Sequence, residues 1–599
     1  MLKFAAVFFP VLAGFLASPA LQMAQETPQP RAATAQLHGP TQAELPVHVN
    51  VSDIPQMTAE MMRAVRPAPR PRNPHFSDAE WSMVKAIAAR APAVTRPDEG
   101  ERLSAPELPS GPDGVFQPAA VAEDVSEVSS ESAKVQTPGA TVDFTGGSGC
   151  GFVPSDMGLA VGPTYAVQVI NACVYVYTKT GVLQSGFPKS LDTVLGWPAG
   201  TFTYDPRVTY DYAAERYIIS AATQDANKNG YFNIAASDTI DPRGGWHVYH
   251  LGQGAALVDF PTLGQSWFRD PFNAAIFTCA NIYPNAGGFS NVCLYLPKKQ
   301  IYAGAGFSFY SSTNFSYGGT IVDTIQPVNV FEAGEKPRAE FAVNALNTGG
   351  GGVCGGAPCH GVIVWSFANV LVQTGTPGPR VSGIYVATPS SYTEPADADN
   401  STFCNNCIST GDNRISGMVH YSAGRIFPSI NVGNGGTSAV LGWVLRPFLN
   451  DNGGGCTGAF VNACPTIAAT TVEQEFCYFC GAGHGGAAFY GAIAPTEENN
   501  WTMFATFSSQ SRSPGTFYTS NRVTWQTPFH DGGIYSCQAN NVYGSAASPA
   551  RWGDYSAAAP DLFGPSNSPA VWGSGMYTAS SNVYGTCIAA NSFVNVNNP

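Results

Sequence analysis

Three short apolar runs within residues 205–236 constrain the fold of this chain more than any other feature of its sequence. Residues 207–211 alternate their side chains as a half-buried strand does, and residues 216–222 resume the alternation after a short break. A polar turn at 225–230 leads into the third run, at 231–236. Three short strands joined by two tight turns form an antiparallel meander. The stretch therefore predicts one sheet of an all-β protein.

Similar groups of short apolar runs return along the chain up to the C-terminus. From residue 141 onward they form roughly seven sheet-sized units of about 65 residues each. Sheets that cannot bury both faces alone stack on their neighbours, and closure into a ring removes their exposed edges. We therefore expect residues 141–599 to form a β-propeller of six or seven irregular blades. The blades need long loops, because the common period is about 40–45 residues. A tandem of β-sandwiches is the alternative.

Composition agrees with an all-β chain and limits its partners. Only 12% of the 599 residues are charged, whereas 64 are glycine and 46 are proline. Low charge with abundant glycine and aromatic residues suits short strands and turns more than helices. The net charge is −13. We expect no nucleic-acid partner, since no stretch concentrates Lys and Arg against phosphates.

The first 140 residues differ in character from the rest. Residues 1–20 combine a basic start, an apolar core and small residues at a cleavage position, which predicts a signal peptide and a secreted, extracellular or periplasmic protein. No later run is long enough for a membrane span. Residues 21–140 are rich in proline and charge and predict a disordered spacer. Within it, a capping box of Ser77 and Glu80 predicts a short helix near 77–91. We expect this helix to be free, with a docked helix as the alternative.

Export determines how the 14 cysteines are interpreted. In an oxidising compartment, local disulfides that fasten hairpins and loops are the expected pairing. Along the chain the predicted pairs are Cys150/Cys173, Cys279/Cys293, Cys354/Cys359, Cys404/Cys407, Cys456/Cys464, Cys477/Cys480 and Cys537/Cys587. The alternative is one zinc ion held by two Cys-x-x-Cys knuckles, at 404–407 and 477–480.

Several sequence blocks resemble those of a known group of proteins. Residues 154–163, 205–211, 259–261, 411–415 and 551–556 are similar to blocks in a family of secreted bacterial β-propeller proteins of unassigned activity. That family is itself loosely similar to sialidase-type propellers. The resemblance spans most of the predicted propeller and implies that fold. The Ser-x-Asp-x-Gly-x-Thr-Trp turns and the Arg-Ile-Pro segment of true sialidases do not occur in this sequence, so the resemblance does not imply sialidase activity.

Acidic residues recur at the mouths of the predicted units. The innermost strand of each propeller blade runs along the channel, so equivalent positions in successive blades form a ring. A ring of Asp and Arg can bind a polar or carboxylated ligand, or supply paired carboxylates for glycoside hydrolysis. Turn caps and hydrogen bonds between blades are the structural alternative. The candidate ligand-binding residues are Asp205, Arg207, Asp259, Asp412, Arg414 and Asp554, with Asp156 and Arg551 beside them.

One turn resembles the first half of a calcium loop. Asp225, Asn227 and Asn229 fit the pattern Asp-x-Asn-x-Asn-Gly, whose oxygens suit a hard cation. The twelfth position is Ala236 rather than Glu, which excludes an EF-hand. An Asn-Gly hairpin turn explains the same residues. Calcium is the cofactor that this turn suggests, and none is required.

The sequence contains no Gly-x-Ser-x-Gly, His-Glu-x-x-His or P-loop motif that would identify a reaction. Two functions from different classes therefore fit these observations. We expect a secreted, monomeric, non-enzymatic binding protein that presents a rigid propeller to glycans or protein partners. The alternative is a secreted carbohydrate-active enzyme, of the glycoside hydrolase kind, working at the mouth of the channel. Such an enzyme requires two carboxylates about 5–10 Å apart in an open pocket.

Overall fold

β-Strands make up most of the structure, a computed structural model of the chain, and this confirms the all-β class. The signal-peptide prediction at residues 1–20 lies outside the residues that the structure describes. The described residues are 32–64, 76–90, 92–94, 142–148, 150, 152–267, 273–331, 337–346, 354, 358–373, 378–401, 403–450, 465–480, 486–496, 501–510, 512–521, 550–564, 569–580 and 583–592.

The elements follow one another as short strands with few helices between them. In the N-terminal segment they are β1 (Ala33–Gln42), β2 (Val47–Asn50), a 3-10 turn (Val51–Asp53), α1 (Ala59–Ala64) and α2 (Asp78–Ala88). The following elements are β3 (Val142–Ser148), β4 (Gly158–Val161), β5 (Tyr165–Ile170), β6 (Cys173–Thr178), β7 (Lys189–Ser190), α3 (Leu191–Val194), β8 (Phe202–Asp211), β9 (Arg216–Gln224), β10 (Gly230–Ser237), β11 (Gly245–Gly252), β12 (Ala256–Gln265), β13 (Ala275–Pro284), β14 (Ser290–Pro297), α4 (Lys298–Tyr302), β15 (Ser308–Tyr317), β16 (Thr320–Ile321), β17 (Gln326–Val330), β18 (Glu340–Ala345), β19 (Cys359–Ala368) and β20 (Arg380–Tyr392). The last elements are β21 (Ala398–Asn400), β22 (Cys404–Ser409), β23 (Val419–Ser422), β24 (Arg425–Ile426), β25 (Ser429–Asn434), β26 (Thr437–Asn450), β27 (Thr466–Tyr478), β28 (Gly486–Pro495), β29 (Trp501–Ser509), β30 (Arg512–Asn521), β31 (Ala550–Arg551), β32 (Ala557–Asp561), β33 (Ala570–Ser580) and β34 (Val583–Ser592). None of the helices in the described part of the chain is long and apolar enough to cross a membrane.

Most strands pair with their neighbours in sequence, as the meander at 205–236 predicts. The runs β4–β7, β8–β11, β28–β30 and β32–β34 each form a separate antiparallel sheet. The runs β12–β15, β17–β20 and β23–β27 are joined edge to edge in one larger sheet, in which β17 pairs in parallel with β12 and with β23. A small sheet contains β21, β22 and β31. The chain is therefore a series of meanders rather than two facing layers.

The first strand of each run contacts the first strand of the next, and this circuit closes on itself. β4 contacts β8, β8 contacts β12, β12 contacts β17 and β17 contacts β23. β23 then contacts β28, β28 contacts β32, and β32 returns to β4. The last sheet is completed by a strand from the other end of the described core, because β3 pairs with β34 from Val142↔Ala590 onward. The first strands thus form a closed circuit of contacts.

Residues 33–42 and 47–50 form strands that pair with the edges of these sheets, and the prediction of a disordered spacer is wrong for them. β1 pairs with β15 from Ala33↔Tyr317 to Gln42↔Ser308, and β2 pairs with β11. An edge strand leaves a row of unpaired backbone groups, which an added strand satisfies. The prediction depended on the average composition of residues 21–140, and two short strands change that average little. Residues 95–140 of the predicted spacer lie outside the described part of the chain.

Helix α2 forms where the capping box predicts it, but it is docked rather than free. Ser77 is its N-cap, and the backbone N–H of Ser77 donates to Oε2 of Glu80 (2.8 Å). Trp81 and Lys85 on this helix are buried. The Lys85 ammonium donates to the carbonyl of Pro395 (2.8 Å), and so fixes the helix against a distant loop. The docked-helix alternative is therefore the correct one.

Between cysteines that the structure describes, five of the predicted disulfides are present: Cys150–Cys173, Cys279–Cys293, Cys354–Cys359, Cys404–Cys407 and Cys477–Cys480. Each joins residues that are close in sequence, as expected for bonds that fasten hairpins. The two Cys-x-x-Cys segments form separate disulfides, so the zinc alternative is wrong: a thiolate that is oxidised to a disulfide does not bind zinc.

The two other predicted pairs include cysteines outside the described residues. Cys587 on β34 is itself disulfide-bonded, but its predicted partner Cys537 lies outside the described part of the chain. Cys456 and Cys464 both lie outside it as well. The pairing of Cys587 with Cys537, and that of Cys456 with Cys464, therefore stay predictions.

Candidate functional site

The structure brings all six sequence-predicted site residues into one region, which we call the Asp–Arg cluster. In the middle of this cluster, two arginines contact one aromatic ring. The guanidinium carbons of Arg207 and Arg414 lie 5.1 and 4.7 Å from the centroid of the Phe260 ring. The cluster consists of Asp156, Asp205, Arg207, Asp259, Phe260, Tyr283, Asp323, Asp412, Arg414, Tyr490, Arg551, Asp554 and Tyr555. The predicted residues thus lie near one another, and their arrangement as a ring and their role in binding stay predictions.

A chain of hydrogen bonds connects successive sheets through this cluster. The N–H of Asp554 donates to Oδ1 of Asp156 (2.6 Å), and the Asn171 amide donates to Oδ2 of the same carboxylate (2.7 Å). The Asn171 carbonyl oxygen accepts from the N–H of Asp205 (2.8 Å). Oδ2 of Asp205 in turn accepts from the N–H of Phe260 (3.2 Å). Asp156 and Asp205 therefore tie neighbouring sheets together.

A left-handed backbone conformation recurs at the first strands of several sheets, and side-chain oxygens accept hydrogen bonds from its N–H groups. Five residues other than glycine have left-handed backbone conformations at or just before a first strand: Asp156, Asp205, Phe260, Thr324 and Tyr490. Such a conformation costs an L-residue about 1 kcal/mol or more. The N–H groups of Thr324 and Tyr490 donate to the side-chain oxygens of Asn281 (3.0 Å) and Asn431 (2.7 Å), as that of Asp205 does to Asn171. Side chains of the preceding sheet thus hold these bulges, a role that sequence reasoning missed.

Two arginines of the cluster, Arg207 and Arg414, are bound inside the protein. Arg207 is almost fully buried and donates to the carbonyls of Ser416 (2.8 Å) and Pro261 (3.3 Å). Its guanidinium carbon lies 3.3 Å from the centre of the Tyr555 ring, a close cation–π contact. Arg414 donates through Nε (2.7 Å) and Nη2 (2.5 Å) to the two oxygens of Asp412. This two-point geometry is the strong form of an Arg–carboxylate pair.

Burial and charge shift the pKa values of the cluster in opposite directions. Burial, together with the charges of Asp554 and Asp205, holds the pKa of the Asp156 carboxyl well above its usual range. Burial lowers the pKa of the Arg207 guanidinium, against the charges around it. Burial also opposes the charge of Arg414, but Asp412 and Asp323 outweigh that effect and raise its pKa. The arginines of the cluster therefore offset part of the charge of its buried carboxylates.

The carboxylates of the cluster are closed off from solvent, with one exception. Asp156, Asp205, Asp259, Asp323 and Asp412 are buried. Asp554 and its partner Arg551 keep side-chain exposures of 29% and 26%. Among the described residues the cluster thus presents a single accessible carboxylate, not the open pair that glycoside hydrolysis requires.

The predicted calcium loop is a capped turn. Oδ1 of Asp225 accepts from the N–H groups of Asn227 (2.9 Å) and Asn229 (2.8 Å), while Oδ2 accepts from the Asn229 amide (3.0 Å) and the Tyr231 hydroxyl (3.2 Å). These donors lower the pKa of Asp225, the Asn229 side chain having the largest effect. The hydrogen bonds account for this sequence without an ion, and calcium binding stays a prediction.

A second polar network, unforeseen from the sequence, runs through the centre between the first strands. Its contacts are His420 Nδ1 with the Asn329 amide (3.1 Å), Thr209 Oγ1 with Asn329 Oδ1 (3.0 Å), Gln265 Nε2 with Thr209 Oγ1 (3.3 Å), and Lys298 Nζ with Gln265 Oε1 (2.8 Å). Lys298 also donates to Oδ2 of Asp211 (2.7 Å). Except for Thr209 and Asp211, which share strand β8, the partners come from different parts of the chain, so no local motif predicts the network.

The buried histidine of this network makes stability dependent on pH. Burial lowers the pKa of His420 to about 4, below the value near 6.5 of an unfolded chain. The unfolded state therefore binds the proton more tightly, and stability falls as the pH drops from 6.5 toward 4. We expect His420→Gln to remove roughly 2–3 kcal/mol of this fall, because each pKa unit corresponds to about 1.4 kcal/mol. Denaturation at pH 7 and pH 4.5 measures the effect. The exposed His360, changed to Gln, is the control and should leave the pH dependence unaltered.

No protein family and no curated protein matches this sequence. Similar solved structures include an ulvan lyase of polysaccharide lyase family PL25, with a TM-score of 0.34 and 10% identity over 72% of this chain and 94% of that one. A GH43_1 enzyme from Xanthomonas citri has a TM-score of 0.26 and 11% identity over 64% and 93% of the two chains. Trypanosoma rangeli sialidase with sialic acid has a TM-score of 0.28 and 8% identity over 73% and 60%. These values are too low to carry the activity of those enzymes to this chain.

Proposed function

We propose that this chain is a secreted, non-enzymatic binding protein built as a seven-bladed β-propeller. The closed circuit of seven first strands supports the propeller and its blade number. The pairing of β3 with β34 is the kind of contact that closes a propeller ring. Local disulfides support export, since such bonds persist in oxidising compartments. We expect a monomer.

One observation carries the proposal of a non-enzymatic role: the carboxylates of the Asp–Arg cluster are used inside the protein. Asp205 holds the N–H of Phe260, Asp412 holds Arg414, and Asp156 holds the N–H of Asp554. A catalytic carboxylate must instead reach substrate or an attacking water. Recognition would then depend on the outer surface and the long loops, with glycans or proteins as partners. The net charge of −13 argues against nucleic acid.

The full chain should be tested for binding and turnover together. We expect immobilised polysaccharides or surface proteins to retain it, with no release of reducing ends, unsaturated uronates or sialic acid. Product formation that requires Asp554 would contradict the proposal. The same assay applied to Asp554→Asn therefore decides between binding and catalysis.

Replacing Asp412 with Asn is expected to weaken folding and leave binding intact. The change removes the charge that faces the buried Arg414 guanidinium, and hydrogen bonds to charged groups contribute about 1.5–3 kcal/mol. Guanidinium denaturation measures this loss, and the retention assay measures binding.

Asp241→Asn is a matched control for this change. Asp241 pairs with Arg243 at the same two-residue spacing, through Nε (2.9 Å) and Nη2 (2.7 Å), but the pair is about 40% exposed. Exposed pairs contribute up to about 1 kcal/mol, so the control should change stability little. If Asp412→Asn abolished binding at unchanged stability, the cluster would be a ligand site.

A carbohydrate-active enzyme is the second candidate, and Asp156 and Asp554 favour it. Burial and neighbouring charges raise the pKa of the Asp156 carboxyl well above its usual range, whereas Asp554 beside it is paired with Arg551 and reaches solvent. Two carboxyl groups with different environments are the arrangement that separates acid from base in glycosidases. Turnover lost in both Asp156→Asn and Asp554→Asn would support this candidate.

A further inference from the structure

Two histidines and one aspartate meet where strand β2 joins the sheet β8–β11, outside the Asp–Arg cluster. His48 on β2 lies directly opposite His247 on β11, and their ring centroids are 5.1 Å apart. Directly opposed residues of antiparallel strands project to the same face. Asp238 follows β10 and is anchored beside them, since its N–H donates to the carbonyl of Gly245 (2.8 Å). We call these three residues the His–Asp–His group.

The ligand atoms of the His–Asp–His group are close enough for one ion. Nε2 of His48 lies 2.7 Å from Oδ2 of Asp238, and Nε2 of His247 lies 3.4 Å from Oδ1. All three ligand atoms lie within 4.8 Å of one another. Donors around a tetrahedral zinc ion, bound at about 2.0–2.1 Å, are separated by about 3.3 Å. Small side-chain rotations would therefore place all three on one metal.

Two glycines make room for this arrangement. A Cβ atom at Gly245 would lie 2.1 Å from Oδ2 of Asp238 and 2.7 Å from Nε2 of His48. A Cβ atom at Gly304 would lie 2.5 Å from the His247 ring. Any larger side chain at either position would displace a ligand. The backbone of Gly304 thus packs on the His247 imidazole and restricts its orientation, which favours metal binding because less freedom is lost.

One carboxylate oxygen of the His–Asp–His group lacks a hydrogen bond among the described residues. Oδ1 of Asp238 is buried and makes no hydrogen bond within the described part of the chain. A buried carboxylate oxygen without a donor is costly, and a metal ion satisfies it. The group is still reachable from solvent, because the His48 side chain is 52% exposed.

We propose that His48, Asp238 and His247 bind a divalent transition-metal ion, with zinc as the probe. Two imidazoles and a carboxylate suit zinc and its neighbours in the periodic table better than calcium, which prefers oxygen ligands alone. Three protein ligands leave a fourth position for water. The ion joins the N-terminal strand β2 to the sheet that begins at β8, and so fastens residues 47–50 to the protein. This site is independent of the proposed binding function.

Zinc titration of the untagged, chelator-treated full chain tests the proposal. Calorimetry should show one zinc bound per chain, and zinc should raise the melting temperature as a ligand of the folded state does. His48→Gln and Asp238→Asn should each weaken binding at least tenfold, because loss of one of three ligands removes a metal bond. Since His48 is half exposed, its variant should melt at the wild-type temperature in the absence of zinc.

His38→Gln is the matched control. His38 lies on β1, also in the N-terminal segment, and its ring contacts Thr313 rather than a carboxylate. It should bind zinc as the wild type does. A zinc affinity that is unchanged in His48→Gln, or a wild-type chain that binds no zinc, would overturn the proposal. Equal loss in His38→Gln and His48→Gln would also overturn it, because the effect would then be unspecific.

Discussion

Lys298→Met is expected to lower the free energy of unfolding by about 3–5 kcal/mol, the usual cost of removing one partner of a buried ion pair. The ammonium group of Lys298 is fully buried and donates to Asp211 (2.7 Å), Gln265 (2.8 Å) and the carbonyl of Ser266 (2.7 Å). Methionine fills a similar volume but leaves the Asp211 carboxylate, also contacted by the hydroxyl of Tyr302, without its cation. The shift of the guanidinium unfolding midpoint measures the loss.

The adjacent Lys299 offers a matched control for this prediction. It lies on the same short helix, but its side chain is exposed. Lys299→Met should change the free energy of unfolding by less than about 0.5 kcal/mol. Similar effects of the two substitutions would show that the buried contacts of Lys298 do not stabilise the centre.

Arg207→Met is expected to lower the free energy of unfolding by about 3–5 kcal/mol. Like Lys298→Met, it leaves buried carboxylates without a neighbouring cation. Arg207 is the cation next to Asp205 and Asp156, and its guanidinium contacts the rings of both Phe260 and Tyr555. Its removal also leaves the carbonyl of Ser416 without its donor. Thermal and guanidinium unfolding measure the effect.

Arg243→Met is the matched control for Arg207→Met. It tests whether burial of the charge or the Arg–aromatic contact determines the loss of stability. Arg243 also lies over a tyrosine ring, 4.6 Å from the centroid of Tyr165, and also pairs with an aspartate. It is 40% exposed, and solvent screens its charge, so we expect a loss of less than about 1 kcal/mol. A loss as large as that of Arg207→Met would mean that the ring contact, not burial of the charge, determines the cost.

The strand positions of the central meander were predictable because their signals are local. The runs at 216–222 and 231–236 correspond to β9 (Arg216–Gln224) and β10 (Gly230–Ser237). The alternation at 207–211 predicted a half-buried strand, whereas both faces of β8 are buried. Sheets pack on both sides of this strand, and its own sequence does not contain that information.

Most charged residues of the Asp–Arg cluster were predictable, but Asp323, the aromatic residues and the hydrogen bonds of the cluster were not. Repeated blocks place Asp205, Asp412 and Asp554 at similar points of successive units, and the structure brings them into one region. Which oxygen accepts which N–H depends on the bulges at the first strands and on Asn171 and Asn281 of the preceding sheets. Sequence reasoning missed those asparagines because nothing in their own segments is unusual.

The sequence by itself determined the all-β class, the meander order, the local disulfides and the capped helix α2. Each depends on residues close together in the chain: side-chain alternation, turn residues, neighbouring cysteines, and Ser77 with Glu80. Only the tertiary structure decided that β1 and β2 pair with distant strands, and that His420 meets Asn329 and His48 meets His247. These contacts join segments far apart in sequence, and they form because closing the circuit of sheets brings strand edges and buried polar groups together.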